Sequence, residues 1–334
     1  MTSSHPHHQR PTLIATIGPA SFGCVEGLVQ AGADILRLNT SHVLGASLSK
    51  AIADIRRAAP HTPLVIDLQG TKLRLGKTEK RAVHQGDEVI FSKSPHLLPT
   101  SVHLPHDIFF DSVQDGDIFS VGDGELKFRV SEHGPLSLTA RALTEGTLLP
   151  RKGVTLIDRP LTESGVTPTD LSRIAEVLRT SARNVSWALS FISSAEDAAQ
   201  IRSHLPESAR FIAKIERKSA VEHIHEIAHK TDEIWICRGD LGEQLGMSGM
   251  AEFVSGFEPK EFGVPCILAG QVLHHLTEHV LPTRAEVCQL FDALKRGFSG
   301  IVLSDETASG RDPVNAVTTA RTLLDDFGEA VRNQ

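Results

Sequence analysis

Lys214 and Glu216 stand two positions apart at the end of the apolar run Phe211 to Ile215. In an extended strand alternate side chains share a face, so this cation and this acid look into one cavity while Ile215 points away. Glu216 and Asp240, on neighbouring runs, make a pair of carboxylates suited to Mg2+ or Mn2+, with the other coordination positions left to water and substrate oxygens. The same three side chains, Lys214, Glu216 and Asp240, would equally form a structural ion-pair network at a rim. Arg37 suits bidentate binding of a phosphoryl group, and Lys214 suits stabilising an enolate or a phosphate in transfer. A Schiff base on Lys214 is the competing chemistry. Glu216 weakens it, because an adjacent carboxylate keeps an ammonium protonated.

These groups need a frame that gathers the ends of separate strands. Eight short apolar runs supply it: Thr12 to Ile17, Asp34 to Leu38, Pro63 to Leu68, Val185 to Ile192, Phe211 to Ile215, Glu233 to Cys237, Val264 to Ala269 and Gly300 to Leu303. Their near-continuous apolarity is that of parallel strands covered on both faces. Amphipathic stretches such as Leu48 to Ala58, Leu171 to Leu178, Ala195 to Leu205 and Ala285 to Lys295 alternate with them. The fold class predicted is α/β, a (β/α)8 TIM barrel, and its strand ends carry the polar groups. They are Arg37 to His42, Asp67, Lys214 with Glu216, Arg238 to Asp240, and Ser304 to Thr307.

A barrel takes roughly 250 residues, so about 84 of the 334 belong elsewhere. The rhythm breaks once, where Gly86-Asp87, Asp115-Gly116 and Asp123-Gly124 separate short alternating runs. This predicts a small β-barrel lid domain inserted after strand 3. The expected division is a tail over 1–11, a barrel over 12–70 and 159–330, and the lid over 71–158.

With 34 basic and 41 acidic residues and a net charge of −7, the chain is a poor match for nonspecific nucleic-acid binding. No run of about 18 apolar residues is present, and the start MTSSHPHHQRPT lacks a signal-type apolar stretch. A cytoplasmic protein with no membrane partner is expected. Cys24, Cys237, Cys266 and Cys288 show no CxxC spacing and read as reduced thiols. His5, His7 and His8 read as part of a solvated tail.

Six strings in order resemble the pyruvate kinase family. They are Ala15-Thr16-Ile17-Gly18-Pro19-Ala20-Ser21, Arg37-Leu38-Asn39-Thr40-Ser41-His42, Lys214-Ile215-Glu216, Arg238-Gly239-Asp240-Leu241-Gly242, Pro282-Thr283-Arg284-Ala285-Glu286 and Ser304-Asp305-Glu306-Thr307-Ala308. The resemblance implies Mg2+-dependent phosphate transfer between phosphoenolpyruvate and ADP in a cleft beneath the lid. It implies Glu216 and Asp240 as metal ligands, Lys214 at the transferring phosphate and enolate, and Arg37 at the phosphate. The backbone of Arg238, Gly239 and Asp240 would cradle the substrate carboxylate. Asn39, His42, Arg74 and Lys152 would line the nucleotide side.

Three departures accompany these matches. Where the family has threonine in an Ala-Thr-Gln-Met-Leu string, this chain has Gly270, with no hydroxyl beside the reacting carbon and extra room for a bulkier substrate. Leu68 removes an oxygen ligand from the family's monovalent-cation site, whose remnant is Asn39, Ser41 and Asp67. Lys72 looks like the potassium-independent branch, its ammonium replacing K+. The chain stops near the eighth helix, so the family's regulatory domain and its effector site are not expected, and a homodimer is one possible assembly. Two rival readings keep the same residues: a Mg2+-dependent pyruvate-enolate lyase, synthase or decarboxylase acting on another 2-oxo acid, and a non-catalytic metabolite-binding descendant.

Overall fold

The computed structural model describes residues 10–41, 47–95, 100–122, 124, 126–157, 166–180 and 183–332. Eight strands close a parallel ring: β1 (Thr12–Ile17), β2 (Ile35–Asn39), β3 (Leu64–Leu68), β12 (Val185–Leu189), β13 (Phe211–Ile215), β14 (Glu233–Cys237), β15 (Cys266–Ala269) and β16 (Gly300–Leu303). β16 pairs with β1 through Ala15 and Leu303, and β1 with β2, so no edge remains. The (β/α)8 barrel is therefore present, with every predicted strand in place.

Alternation along the strands sorts the apolar residues into two cores. Ile14, Val65, Ala188, Ile212, Trp235 and Ile267 fill the barrel interior, while their neighbours in sequence pack outward against the helices. Above that interior layer the same inward face carries Thr16, Arg37, Asp67, Ser190, Lys214 and Glu216, all buried. The barrel is thus greasy at its waist and charged at its C-terminal mouth.

Several element ends differ from the expected ones, among them these three. The run Val185 to Ile192 leaves the sheet at Leu189, because Phe191 turns at φ 59°. β15 starts at Cys266, after Pro265, which has no N–H to donate to a ladder. The helix from Ala195 stops at Arg202. The Pro282 to Glu286 string proves to be a helix start: Thr283 and Glu286 form a reciprocal capping box for the helix Arg284–Arg296.

Between β3 and β12 lie β4 (Arg81–Val83), β5 (Glu88–Ser92), β6 (Val102–His103), β7 (Ile118–Val121), β8 (Leu126–His133), β9 (Ser137–Ala142), β10 (Gly146–Leu148) and β11 (Val154–Leu156). They form a six-stranded sheet, in the order β11-β7-β8-β9-β5-β6, and a two-stranded β4–β10 ribbon. Both wrap one apolar core separate from those of the barrel, with Phe91, Phe109, Phe119 and Phe128 in ring contact. The two linkers to this unit hydrogen-bond to each other, Leu75 N–H to Lys152 O (2.9 Å) and Val154 N–H to Leu73 O (2.9 Å).

Candidate active site

Asp67 at the end of β3 is the anchor of the charged mouth. Its Oδ2 accepts from Arg37 Nε (2.8 Å) and Nη2 (2.6 Å) and lies 3.1 Å from Lys214 Nζ, while Oδ1 accepts from the Ser190 hydroxyl (3.1 Å). Burial pulls this carboxyl upward, and Lys214 and Arg37 outweigh it, so its pKa lies below the ordinary value. Arg37 also donates from Nη1 to Thr16 Oγ1 (2.9 Å) and lies over the Trp235 ring at 5.9 Å. Its orientation is therefore fixed by three neighbours before any ligand arrives.

Lys214 Nζ donates to Ser190 Oγ (2.7 Å) and pairs with Glu216 Oε1 (2.9 Å) as well as with Asp67. Burial alone would lower the pKa of this lysine. The two carboxylates, Asp67 first, reverse that and raise it. Both contacts favour the ammonium, which works against a Schiff base, since that chemistry needs a free amine. The other oxygen of Glu216, Oε2, accepts the Phe191 N–H at 2.9 Å. Burial, reinforced by Asp240, raises the pKa of Glu216.

Asp240 lies in the first turn of the helix Arg238–Gly256, which starts directly after β14. Its Oδ1 is 2.5 Å from the ammonium of Lys72, which comes from the linker after β3. Burial lowers the Lys72 pKa less than Asp240 and Glu243 raise it. The expected potassium-site group is therefore divided. Asn39 Oδ1 accepts from Ser41 N (3.0 Å) and Oγ (2.8 Å), Asp67 is saturated by Arg37 and Lys214, and Lys72 pairs with Asp240 instead of with that group. Leu68 offers only its carbonyl, which already accepts the Ser190 N–H at 3.1 Å.

Arg238 is expected to act through its backbone, and its side chain has a separate task. Its side chain donates to Gly270 O (2.9 Å), Gln271 O (2.8 Å) and Gln289 Oε1 (2.7 Å), so it braces the loop after β15. The backbone at the helix N-terminus is the part suited to an anion, since orphan N–H groups and the helix dipole favour one there. Gly239 faces open space, with nothing within 4 Å of a Cβ placed there. Gly270 has φ +85°, and a Cβ on it would come within 3.0 Å of Gly239 N and 3.2 Å of Arg238 N. This corrects the view of Gly270 as simple extra room: the backbone conformation itself calls for glycine, and the space it leaves lies against the backbone nitrogens of Arg238 and Gly239.

A cleft of about 430 Å3 collects these groups, lined by Arg37, Asn39, Lys214, Glu216, Asp240 and Gly270 among others. Arg74 and Lys152 line it from the linkers, where Arg74 Nη1 donates to Arg151 O (3.1 Å). His42 lies outside the described residues. The carboxylates Glu216 and Asp240 offer only oxygen donors, the set a hard divalent cation takes. The donor set fits such an ion by chemistry, and each carboxylate already pairs with a lysine, Asp240 with Lys72 and Glu216 with Lys214, which an ion would have to share or displace. Sequence reasoning missed Ser190 and Phe191. Ser190 carried a readable signal, being with Ser186 one of two polar residues in the run and on the same strand face as Ala188.

Residues 8–317 match the family model described as pyruvate kinase, barrel domain. A pyruvate kinase of Methylorubrum extorquens is 31% identical over 333 residues, covering 95% of this chain and 68% of the relative. One of Borreliella burgdorferi is 31% identical over 301 residues, covering 88% and 62%. The crystal structure of a pyruvate kinase from Cryptosporidium parvum matches with a TM-score of 0.82 at 26% identity, over 97% of this chain and 70% of that one. The chain thus spans roughly two thirds of the length of these relatives.

Proposed function

Since the chain belongs to the pyruvate kinase family, we propose that it transfers a phosphoryl group between phosphoenolpyruvate, or a close analogue, and ADP. The P–O bond to the enol oxygen breaks, a bond forms to the terminal phosphate oxygen of ADP, and the released enolate takes one proton at carbon to give the 2-oxo acid. The observation that carries this reading is the convergence of Arg37, Lys214, Glu216 and Asp240 in one cleft with Arg74 and Lys152 on its linker side.

Arg37, held by Asp67 and Thr16, presents its remaining N–H groups on Nη1 and Nη2 to the phosphoryl oxygens. Lys214 stays an ammonium and holds the enolate oxygen as charge develops on it. Gly239 and Asp240 N–H groups at the helix start receive the carboxylate. Arg74 and Lys152 take the nucleotide phosphates. Gly270 brings no hydroxyl, so the proton reaches carbon from water in the cleft. Mg2+ or Mn2+ on Glu216 and Asp240 would supply Lewis-acid neutralisation of phosphate and enolate charge.

A K+ requirement is not part of this reading. Asp67 is saturated by side-chain cations, the Asn39 carbonyl accepts from Ser41 and the Leu68 carbonyl from Ser190, so the family's site for that ion is filled from within. The test is pyruvate formation coupled to lactate dehydrogenase, with phosphoenolpyruvate, Mg2+ and ADP, in K+-free buffer. Turnover unaffected by added K+ is expected; no turnover with any of several nucleoside diphosphates would reject the proposal.

A further inference from the structure

Among the described residues, four other than glycine sit on left-handed backbone: Arg151 (φ 64°), Asn184 (φ 54°), Phe191 (φ 59°) and Gln271 (φ 52°). Asparagine tolerates that region, whereas a bulky residue there is a genuine outlier, and such strain gathers where function over-determines the backbone. Apart from Asn184, each hands a backbone group to a side chain of the mouth. Arg151 O accepts from Arg74 Nη1 (3.1 Å), Gln271 O accepts from Arg238 Nη2 (2.8 Å), and the Phe191 N–H donates to Glu216 Oε2 (2.9 Å). Of the three, Phe191 is the one that reaches a carboxylate of the proposed cation site.

The chain leaves β12 with the Ser190 N–H spent on Leu68 O (3.1 Å), and the next peptide carries the Phe191 N–H to Glu216. The other oxygen of Glu216 meets Lys214 (2.9 Å), so one partner on each oxygen sets the plane of a carboxylate that is 2% exposed. A donor on an ionised acceptor makes one of the stronger hydrogen bonds. The Phe191 side chain is itself buried, with Arg217 Cζ 5.1 Å and Lys72 Nζ 5.5 Å from its ring centroid. The turn is anchored by β12 before it and by the helix Ala195–Arg202 after it. A residue forced out of the left-handed region there has to rotate the peptide that carries the N–H. We propose that Phe191 is a positioning residue for the divalent cation, its left-handed turn holding Glu216 through the backbone so that the carboxylate is set before an ion arrives. The inference rests on the cation site of the proposed function and adds a residue that acts through Glu216.

The test is calorimetric titration of the full chain with Mn2+, beside urea unfolding of the same samples. Phe191→Ile places a β-branched residue where φ is 59°, so the turn should open and Mn2+ should bind about tenfold to hundredfold more weakly. Phe191→Gly takes a positive φ as readily as a negative one, so Mn2+ should bind no more than about threefold more weakly than in wild type. The glycine variant also loses a buried ring and should have the lowest urea midpoint of the set. A side chain needed only for packing would give the opposite order, with affinity following stability. Mn2+ affinity of the isoleucine variant equal to wild type, or of the glycine variant below that of the isoleucine one, would overturn the proposal. Should Phe191→Ile not fold, Phe191→Gly decides alone: kept affinity supports the turn, and a loss of about tenfold or more overturns it. Glu216→Gln separates this inference from the reading beneath it. Wild type that binds no Mn2+, or binds it no better than Glu216→Gln, would sink the cation site and the inference together. Binding abolished by Glu216→Gln but kept by Phe191→Ile would sink the inference alone.

Discussion

Asp67 and Asp240 are both acids at the mouth of one barrel, and each is paired with a lysine, yet they are built to opposite ends. The Asp67 side chain is 1% exposed and is held by two cations and a hydroxyl, all from strands of the barrel itself or the residue after one. Asp240 is 21% exposed and meets one cation, Lys72, from the linker to the inserted unit. A carboxylate whose partners sit on the rigid ring serves as a fixed frame that aims Arg37 and Lys214. A carboxylate whose partner rides on a linker holds a cation it can exchange. On the proposed reading, the difference separates the part of the mouth that orients from the part that binds.

Asp67→Asn should be the most damaging change, because it leaves Arg37 and Lys214 buried without their shared counter-charge. Loss of such a partner costs about 3 to 5 kcal/mol, readable as a shift in the urea midpoint. Because Lys214 and Arg37 outweigh burial and hold this carboxyl below its ordinary value, its stabilisation is complete above about pH 4 and fades as pH falls through the folded value. Wild type and variant should therefore differ most at neutral pH and converge in acid. An equal difference at all pH values would show that Asp67 is not the frame.

Lys214→Met should cost about a thousandfold in kcat while the protein remains folded by circular dichroism. Unaltered kinetics would remove Lys214 from the site. Gly270→Ala should destabilise by about 1 to 2 kcal/mol, since alanine is forced to φ +85°. Gly270→Thr is expected to be at least as strained, so a simple gain of activity from it would contradict the backbone described here. Lys72→Met should have the smallest effect on stability, about 1 kcal/mol, because the pair is partly solvated. It should also raise Mn2+ affinity about threefold to tenfold by calorimetry, as the internal competitor for Asp240 is gone. Weaker Mn2+ binding would make Asp240 as fixed as Asp67 and abolish the distinction.

The strands were legible because a parallel strand covered on both faces must be apolar along its whole length, and Phe211–Ile215, Glu233–Cys237 and Gly300–Leu303 stop where the sequence indicates. The reading overran at Val185–Leu189, since an apolar run says nothing of a positive φ at Phe191. Lys214 and Glu216 were legible from strand alternation alone. Lys72 was misplaced because its partner lies 168 residues away, a contact no local pattern encodes. The side chain of Arg238 was likewise invisible as a brace, since its acceptors are carbonyls of a loop whose path the sequence does not specify.

The paired linkers have a mechanical consequence. Two chain segments cross-linked by Leu75–Lys152 and Val154–Leu73 hydrogen bonds make a ribbon, which flexes across its thin dimension and resists shearing in its plane. At its barrel end Thr155 donates to Glu243 (2.6 Å) and Lys72 meets Asp240, the two acids lying one helical turn apart. A side chain on Gly153 would strike the Lys72 stem at 2.8 Å, so the return segment is shaped to let that lysine pass. The same ribbon thus carries both the chain into the upper unit and the ammonium that meets Asp240, so a bend in it would pull on that ion pair.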